Sequence, residues 1–261
     1  MLTFRFTLNT RIEAPHEKLL TSLEMTRCGD LDLALTTSKD GAVKLWRLNK
    51  HSEDSSKHSL FIKKSISDAA DDYSWSCHAV CNFKESIAQN ACFSRDGSIF
   101  AVVFGSTITL WNTKTAVLLK TLISPSGDAF KRVYLSYEFL ITYTSEFLQV
   151  WNLLSCSIMW SIKLGVRHLA LDPVMNRFAV KSSGIFPNEL FRLFADYLDS
   201  IYVFGTESPR VLFEAKSDAS LFSMTINRTN DAMSVVGLTK EYELVEFGEK
   251  KQGTIEKTVR C

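Results

Sequence analysis

The chain has 261 residues, of which 46% are apolar and 23% are charged, and its formal net charge at pH 7 is +1. This composition is typical of a folded domain with a sizeable core, and so small a net charge argues against nucleic-acid binding through bulk electrostatics. No apolar run approaches the roughly 18–20 residues of a membrane helix, so we predict no membrane partner. The N-terminal residues alternate without a cleavable apolar signal, so we expect the six cysteines to be reduced.

The segment 34–46 sets the pattern of the chain. It contains an apolar strand, a tight turn at residues 39–41 and an alternating strand that ends on Trp46, which predicts a β-hairpin. Residues 4–8 and 19–25 predict two earlier strands, the first of them an outer strand. Because a single hairpin cannot bury its apolar face, we expect the unit to repeat.

The hairpin does recur along the chain. Two further hairpins end on Trp111 and Trp151, which are 40 residues apart, and two later ones end on Phe204 and Phe247. This spacing is typical of a four-stranded propeller blade of about 40–45 residues. We therefore predict an all-β propeller of about five to six blades over residues 1–247. A seven-blade ring needs a longer chain, so we expect an incomplete or fragmentary propeller.

Four residues around the first hairpin form a candidate structural set: His16, Ser38, Asp40 and Trp46. A buried imidazole can bridge a turn carboxylate and a hydroxyl while an indole donates its own hydrogen bond, so the four polar groups would satisfy one another within the sheet. A His–Ser–Asp set also suggests a hydrolase. We predict no catalysis, since no Gly-x-Ser-x-Gly turn presents a nucleophile.

Residues 51–74 are rich in Ser, Asp, Lys and His and predict a flexible insert between two blades, with a partner-docking or phosphorylated loop as the alternative. Residues 75–81 then begin the next predicted blade. Within them, Cys77 and Cys81 flank His78 and could suggest a metal site. No second pair follows at ligand spacing, so we expect buried thiols and neither metal nor cofactor.

Residues 186–199, inside the fourth hairpin, carry apolar residues at helical spacing and predict a short amphipathic helix. The helix would either fold back over the rim or dock onto another protein. The candidate partner surface comprises Leu190, Phe191, Phe194 and Arg167. Arg167 and His168 could face a partner or the propeller channel, although an ordinary exposed pair is the favoured interpretation. Residues 248–261 predict a polar tail.

The hairpins as a group resemble the WD-repeat family, and several stretches carry a more specific likeness. Residues 6–16, 37–46, 75–77, 90–98 and 151–160, followed by Val166 and Arg167, resemble in this order the second propeller of the WD repeat-containing protein 75 (Utp17) family. The likeness runs from residue 4 to residue 180 and has no counterpart for residues 186–199. Members of that family are longer and have two propellers, so the resemblance implies a partial second propeller.

The resemblance implies a non-catalytic scaffold of the nucleus and nucleolus. Members of the family join the t-UTP (UTP-A) subcomplex of the small-subunit processome, which assembles on nascent pre-rRNA, acts in ribosome biogenesis through 18S rRNA maturation and supports RNA polymerase I transcription. The implied partners are processome proteins, with indirect contact to pre-rRNA and U3 snoRNA and no small-molecule substrate or cofactor.

Two other functional classes remain. A general WD-repeat interaction module outside ribosome assembly would share every hairpin and lack the stretch 151–160. An enzyme would need carboxylates or metal ligands that converge at the mouth of the channel, and the sequence shows none at a recognisable spacing.

Overall fold

The alternating segments of the sequence form β-strands throughout the part of the chain that the structure describes. In the computed structural model these residues are 12, 15–50, 73–83, 86–136, 138–172, 177–182, 200–216, 221–229, 232–239 and 243–248. Within them, nineteen strands form five antiparallel sheets. No helix in these ranges is long and apolar enough to cross a membrane. The predicted strand 4–8, helix 186–199 and tail after Gly248 lie outside the described residues.

Among the described residues, four sheets have four strands and the last has three. The first sheet contains β1 (Leu20–Cys28), β2 (Leu31–Ser38), β3 (Ala42–Lys50) and β4 (Tyr73–Asn82). The second contains β5 (Asn90–Phe93), β6 (Ile99–Phe104), β7 (Thr107–Asn112) and β8 (Leu118–Ile123). The third contains β9 (Arg132–Leu135), β10 (Phe139–Tyr143), β11 (Phe147–Asn152) and β12 (Ser157–Lys163).

The fourth sheet contains β13 (Val166–Leu171), β14 (Arg177–Ser182), β15 (Ser200–Gly205) and β16 (Val211–Lys216). The fifth contains β17 (Leu221–Thr229), β18 (Ala232–Thr239) and β19 (Leu244–Gly248). Within each sheet the strands follow one another in chain order, and β1 contacts β5, β5 contacts β9 and β13 contacts β17. In these three pairs of sheets the first strand is therefore an inner strand, beside the first strand of the neighbouring sheet. The predicted all-β architecture is confirmed.

The place of the segment 75–81 after the polar insert predicts that it begins the second sheet. The structure shows that it does not. It belongs to β4, the outer strand of the first sheet, in which Cys77 pairs with Trp46 and Ala79 with Leu45. The prediction was wrong because polar composition does not distinguish a link between two blades from an insert within one. The insert lies within one blade, between β3 and β4, and its last two predicted residues, 73 and 74, are already strand. Residues 51–72 lie outside the described residues.

One packing rule repeats through the molecule. Each sheet has an aromatic face, defined as the face that carries its terminal Trp or Phe, and an opposite face. The aromatic face of the second sheet, with Phe100 and Trp111, packs against the opposite face of the first, with Leu35 and Leu45. The same relation joins the third sheet to the second, the fourth to the third and the fifth to the fourth. None of these four described clusters joins the fifth sheet to the first, so the described sheets form an open array.

The contact between the third and fourth sheets is the most aromatic of the four. Phe178 is fully buried, and its ring stacks on Trp160 of the third sheet at 6.1 Å and on Phe204 of its own sheet at 5.7 Å. Aromatic pairs at such separations contribute about 0.5–1.5 kcal/mol beyond the burial of their area. The stacking of these rings therefore helps to set the packing of the fourth sheet on the third.

A tight turn also fits one sheet against its neighbour. The turn between β5 and β6 closes with a hydrogen bond from the Gly97 N–H to the Ser94 carbonyl oxygen, and Gly97 has a φ of 69°. A Cβ at position 97 would lie 2.8 Å from the Cβ of Cys28, at the end of β1. Glycine is therefore required both by the backbone conformation and by the close approach of the first sheet.

We predict that Gly97→Ala lowers the free energy of unfolding by about 2–4 kcal/mol, since it combines left-handed backbone strain with a clash against β1. The matched control is Gly105→Ala. Gly105 has a φ of 57°, but no atom lies within 4 Å of the position that a Cβ would take there. Gly105→Ala should therefore lower the free energy of unfolding by about 1 kcal/mol, from the backbone strain alone. Urea denaturation measures both, and equal losses would contradict the close contact between the turn and β1.

Candidate functional site

The polar set of the first sheet is built from three separate segments. Pro15 and His16 lead into β1, Asp40 lies in the tight turn between β2 and β3, and Trp46 lies in β3. His16 is buried, and its Nδ1 lies 3.1 Å from Oδ2 of Asp40. The structure thus brings together His16, Asp40 and Trp46 of the four residues that the sequence suggested.

The hydroxyl at the centre of this set belongs to Thr36. Its Oγ1 accepts a hydrogen bond from the Trp46 Nε1–H at 2.8 Å and lies 2.8 Å from His16 Nε2. A neutral imidazole that donates from Nδ1 to Asp40 accepts at Nε2 from the Thr36 hydroxyl, so this tautomer pairs every polar group of the chain. The set runs from the turn carboxylate through the imidazole and the hydroxyl to the indole.

Ser38, the hydroxyl residue that the sequence suggested, has a different role. Its Oγ donates to the Lys18 carbonyl oxygen at 3.1 Å and accepts from the Asp40 N–H at 3.2 Å. It therefore ties the end of β2 to the segment before β1 and shapes the turn. The sequence suggested Ser38 as the partner of His16 and Trp46 because residues 34, 36 and 38 share one face of β2. This was wrong, since the Trp46 indole extends to the Thr36 hydroxyl.

Asp40 also organises the turn and the chain before β1. Its carboxylate accepts from the Ala42 N–H at 2.8 Å and from the Glu17 N–H at 3.1 Å, besides the bond from His16. Burial acts to raise the pKa of Asp40, but the two backbone hydrogen bonds and His16 outweigh it and lower the pKa below its ordinary value of 3.8. The folded state therefore favours the carboxylate form.

A second group of hydroxyls joins the first sheet to the second. Thr37 is fully buried, and its Oγ1 lies 2.7 Å from the hydroxyls of both Thr21 and Ser22. Thr21 donates to the Ala88 carbonyl oxygen at 2.5 Å, and Ser22 accepts from the Ala91 N–H at 3.2 Å. These bonds connect β1 and β2 to β5 and to the segment before it. Sequence reasoning missed them, because nothing in a Thr or Ser residue indicates which sheet it will contact.

The tryptophan indoles of the second and third sheets lie in different polar surroundings from that of Trp46. The Trp111 indole donates to Thr109 Oγ1, two residues away, at 2.7 Å. In the third sheet Thr142 occupies the register position of Thr36, but its hydroxyl donates to the Arg132 carbonyl oxygen. The buried Trp151 indole N–H has no hydrogen-bond acceptor among the described residues. These two sheets depend correspondingly more on apolar packing.

The other candidate residues are dispersed. Arg167 lies exposed on β13, whereas Leu190, Phe191 and Phe194 lie outside the described residues. The neighbouring His168 is half-buried, and its Nε2–H donates to the Leu221 carbonyl oxygen of the fifth sheet at 3.1 Å. Burial and the nearby cations lower the pKa of His168 despite this bond. The imidazole therefore acts here as a contact between two sheets.

The cysteine pair of β4 is divided between two environments. Cys77 is exposed, contrary to the expectation of a buried thiol, whereas Cys81 is buried and its burial raises its pKa to about 11. Within the described ranges, no three His, Cys, Asp or Glu side chains lie close enough together to hold a metal ion.

We predict that Thr36→Val costs about 2–4 kcal/mol of unfolding free energy, because it leaves the Trp46 N–H and His16 Nε2 buried without a partner while preserving the branched shape. Ser38→Ala is the matched control and should cost about 1 kcal/mol, since the groups it leaves are less deeply buried. Thermal and urea denaturation give both values. A larger loss for Ser38→Ala would contradict the central position of Thr36.

Asp40 should make stability depend on acid pH. A carboxyl whose folded pKa is lowered stabilises the fold above its unfolded pKa, and this stabilisation is lost as pH falls below 3.8 and through the folded value. Asp40→Asn should therefore be less stable than the parent at about pH 6, and the difference should shrink as the pH approaches about 3. Asp30→Asn, in an exposed turn, controls for the loss of one negative charge. A difference independent of pH would exclude the proposed linkage.

Comparisons with known proteins give the family of the chain. A family model described as the second β-propeller of WD repeat-containing protein 75 matches residues 2–217. WD repeat-containing protein 75 of Mus musculus is 33% identical over 218 residues, which cover 81% of this chain and 23% of the mouse protein. U3 small nucleolar RNA-associated protein 17 of Schizosaccharomyces pombe is 25% identical over 169 residues, which cover 59% of this chain and 18% of that protein.

Solved structures show the same architecture. A chain of the crystal structure of the Mitotic Checkpoint Complex has a TM-score of 0.56 over 87% of this chain and 62% of that chain, at 12% identity, which demonstrates a shared fold. The chain spans less than a quarter of the mouse relative that it matches. The chain belongs to the WD repeat-containing protein 75 family, and residues 2–217 correspond to the second β-propeller of that family.

Proposed function

We propose that the protein is a non-catalytic scaffold of the small-subunit processome and acts in ribosome biogenesis. The observation that carries the proposal is the match of residues 2–217 to the second propeller of WD repeat-containing protein 75, supported by the fission yeast relative, whose name associates it with U3 small nucleolar RNA. In this proposal the protein joins the t-UTP subcomplex, supports pre-rRNA processing to 18S rRNA and transcription by RNA polymerase I, and resides in the nucleolus.

The architecture supports a platform of this kind. The five sheets pack on one another through four apolar clusters, and their outer strands leave apolar side chains exposed. On β8 these are Leu118, Leu119 and Ile123, and on β16 they are Val211 and Leu212. Exposed apolar groups on outer strands favour contacts with several proteins at once. The partners are processome proteins, through which the chain meets pre-rRNA and U3 snoRNA indirectly.

Depletion of the protein should lower 18S rRNA and its early precursors and spare 28S rRNA, because only the small-subunit pathway loses its scaffold. Northern analysis of precursors measures this effect. Re-expression of the parent chain should restore the ratio, whereas Phe178→Ala should restore it poorly, since a core truncation of this size costs about 3–5 kcal/mol. Leu154→Ala, at an exposed turn, is the matched control and should restore it fully.

Two outcomes would contradict the proposal. Normal precursor ratios after depletion would exclude a processome role. Failure of the tagged protein to co-purify U3 snoRNA and processome proteins would instead favour a WD-repeat interaction module outside ribosome assembly.

A further inference from the structure

The outer strand of the second sheet, β8, exposes a cluster of large apolar side chains. Val117, which precedes the strand, and Leu118, Leu119 and Ile123 within it are 39–66% exposed. The sheet lies inside the array, with apolar clusters joining it to the first sheet on one face and to the third on the other. The exposure of β8 is therefore not that of a terminal sheet.

The strand register shows where the cover of the first sheet stops. Four residues lie opposite one another in the successive strands of the second sheet: Phe93, Phe100, Trp111 and Leu118. The first three are at most 8% exposed, because they pack in the cluster that joins the first two sheets, whereas Leu118 is 39% exposed. Ile123, at the other end of β8, is 66% exposed. The contact between the two sheets thus leaves the outer strand largely uncovered.

A β-bulge interrupts β8 beside this row. Lys120 pairs with Leu110, and Leu118 pairs with Trp111. Leu119 is therefore an extra residue without a register partner in β7, and its side chain is 52% exposed. A bulge bends a strand, and a lysine on an edge strand opposes the addition of a further strand. An occupant that contacts β8 through side chains alone, as a helix does, is therefore favoured over an added strand.

The charges around this strand indicate the chemistry of its occupant. Residues 112–123 comprise β8 and the turn before it, and residues 152–163 comprise β12 and the turn before it. Neither segment contains an aspartate or a glutamate, and β4 contains none either. Lys114 and Lys120, in the first segment, are both exposed. The outer strand of the fourth sheet, in contrast, contains Glu214. The exposed apolar cluster of β8 is thus accompanied in its own segment by positive charge alone.

This combination fits a protein segment better than a nucleic acid. A nucleic-acid site needs several lysines or arginines along the phosphate backbone, and residues 112–123 offer two lysines among apolar side chains. An amphipathic helix with acidic residues beside its apolar stripe complements both features of the surface. Its stripe would cover the apolar side chains, and its carboxylates would meet the lysines.

We propose that β8 and the turn before it dock an acidic amphipathic helix of another protein. Leu118, Leu119 and Ile123 contact the apolar stripe of the helix. Lys114 and Lys120 pair with the carboxylates at its edge. An apolar centre with a charged rim is the usual anatomy of a protein interface. The docking site specifies one outer-strand contact of the proposed scaffold, and it rests on that proposal only for the assignment of the helix to a processome protein.

Site-specific photo-crosslinking in the full chain tests this docking. A p-benzoylphenylalanine at position 119, expressed in cells of the source organism, should crosslink a peptide of another protein in which apolar residues recur at helical spacing beside aspartate or glutamate. The matched control is the same group at position 212. Leu212 is the extra residue of the equivalent bulge in β16 and is 48% exposed, but its strand contains Glu214. Position 212 should not yield that peptide.

A second measurement uses the purified chain and a synthetic peptide of the crosslinked segment. Lys120→Glu should weaken binding by about threefold to tenfold, because it replaces an attraction with a repulsion, whereas Lys120→Arg should retain binding. Leu119→Asp should weaken it by about tenfold or more, and Leu212→Asp should leave it unchanged. Since all three positions are exposed, the variants should melt at the temperature of the parent.

Four results would overturn the docking site. They are a crosslinked peptide with the alternation of a strand, a crosslink within one chain, a complex that dissociates on nuclease treatment, and equal binding by Lys120→Glu and Lys120→Arg.

Two further results separate the docking site from the proposed function. A crosslink yield at position 119 no higher than at position 212 would overturn the docking site, and the scaffold role would stand if the tagged chain still co-purified U3 snoRNA. An acidic helix from a protein outside the processome would support the docking site and count against the role in ribosome assembly.

Discussion

The structure depends on one contact, which is repeated four times: the aromatic face of each sheet lies on the apolar opposite face of the sheet before it. Because successive side chains of a strand point to opposite faces, a slip of one residue would move a terminal aromatic such as Trp111 out of its cluster. The position of the aromatic therefore determines both the register of its sheet and the neighbour on which the sheet lies. Phe178, between Trp160 and Phe204, is the clearest example.

Polar groups secure the end of this array where apolar packing is incomplete. In the first sheet, Asp40, His16, Thr36 and Trp46 form a continuous hydrogen-bonded chain that holds the segment before β1 against β2 and β3. The second and third sheets are covered by neighbours on both faces, and their described residues form no equivalent chain of hydrogen bonds. The first sheet is thus held by polar hydrogen bonds as well as by apolar burial, whereas the second and third sheets depend more on apolar burial.

Much of the fold was predictable because alternation and turn residues are local signals. The hairpins that end on Trp46, Trp111 and Trp151 and the all-β class followed from them directly. Two features did not. The segment 75–81 belongs one sheet earlier than its spacing predicts, because strand pairing across an insert cannot be judged from spacing. Thr36 was not predictable because Thr36 and Ser38 share a face, and only side-chain reach distinguishes them.

The repeated contact is tested most directly by a double-mutant cycle between Trp160 and Phe178, each changed to Leu. Since their rings stack across the boundary between the third and fourth sheets, urea denaturation should give a coupling energy of at least about 0.5 kcal/mol. Trp160→Leu paired with Val235→Ala, in the fifth sheet, should be additive within about 0.3–0.5 kcal/mol. Additive losses for Trp160 and Phe178 would contradict the stacking of one sheet on the next.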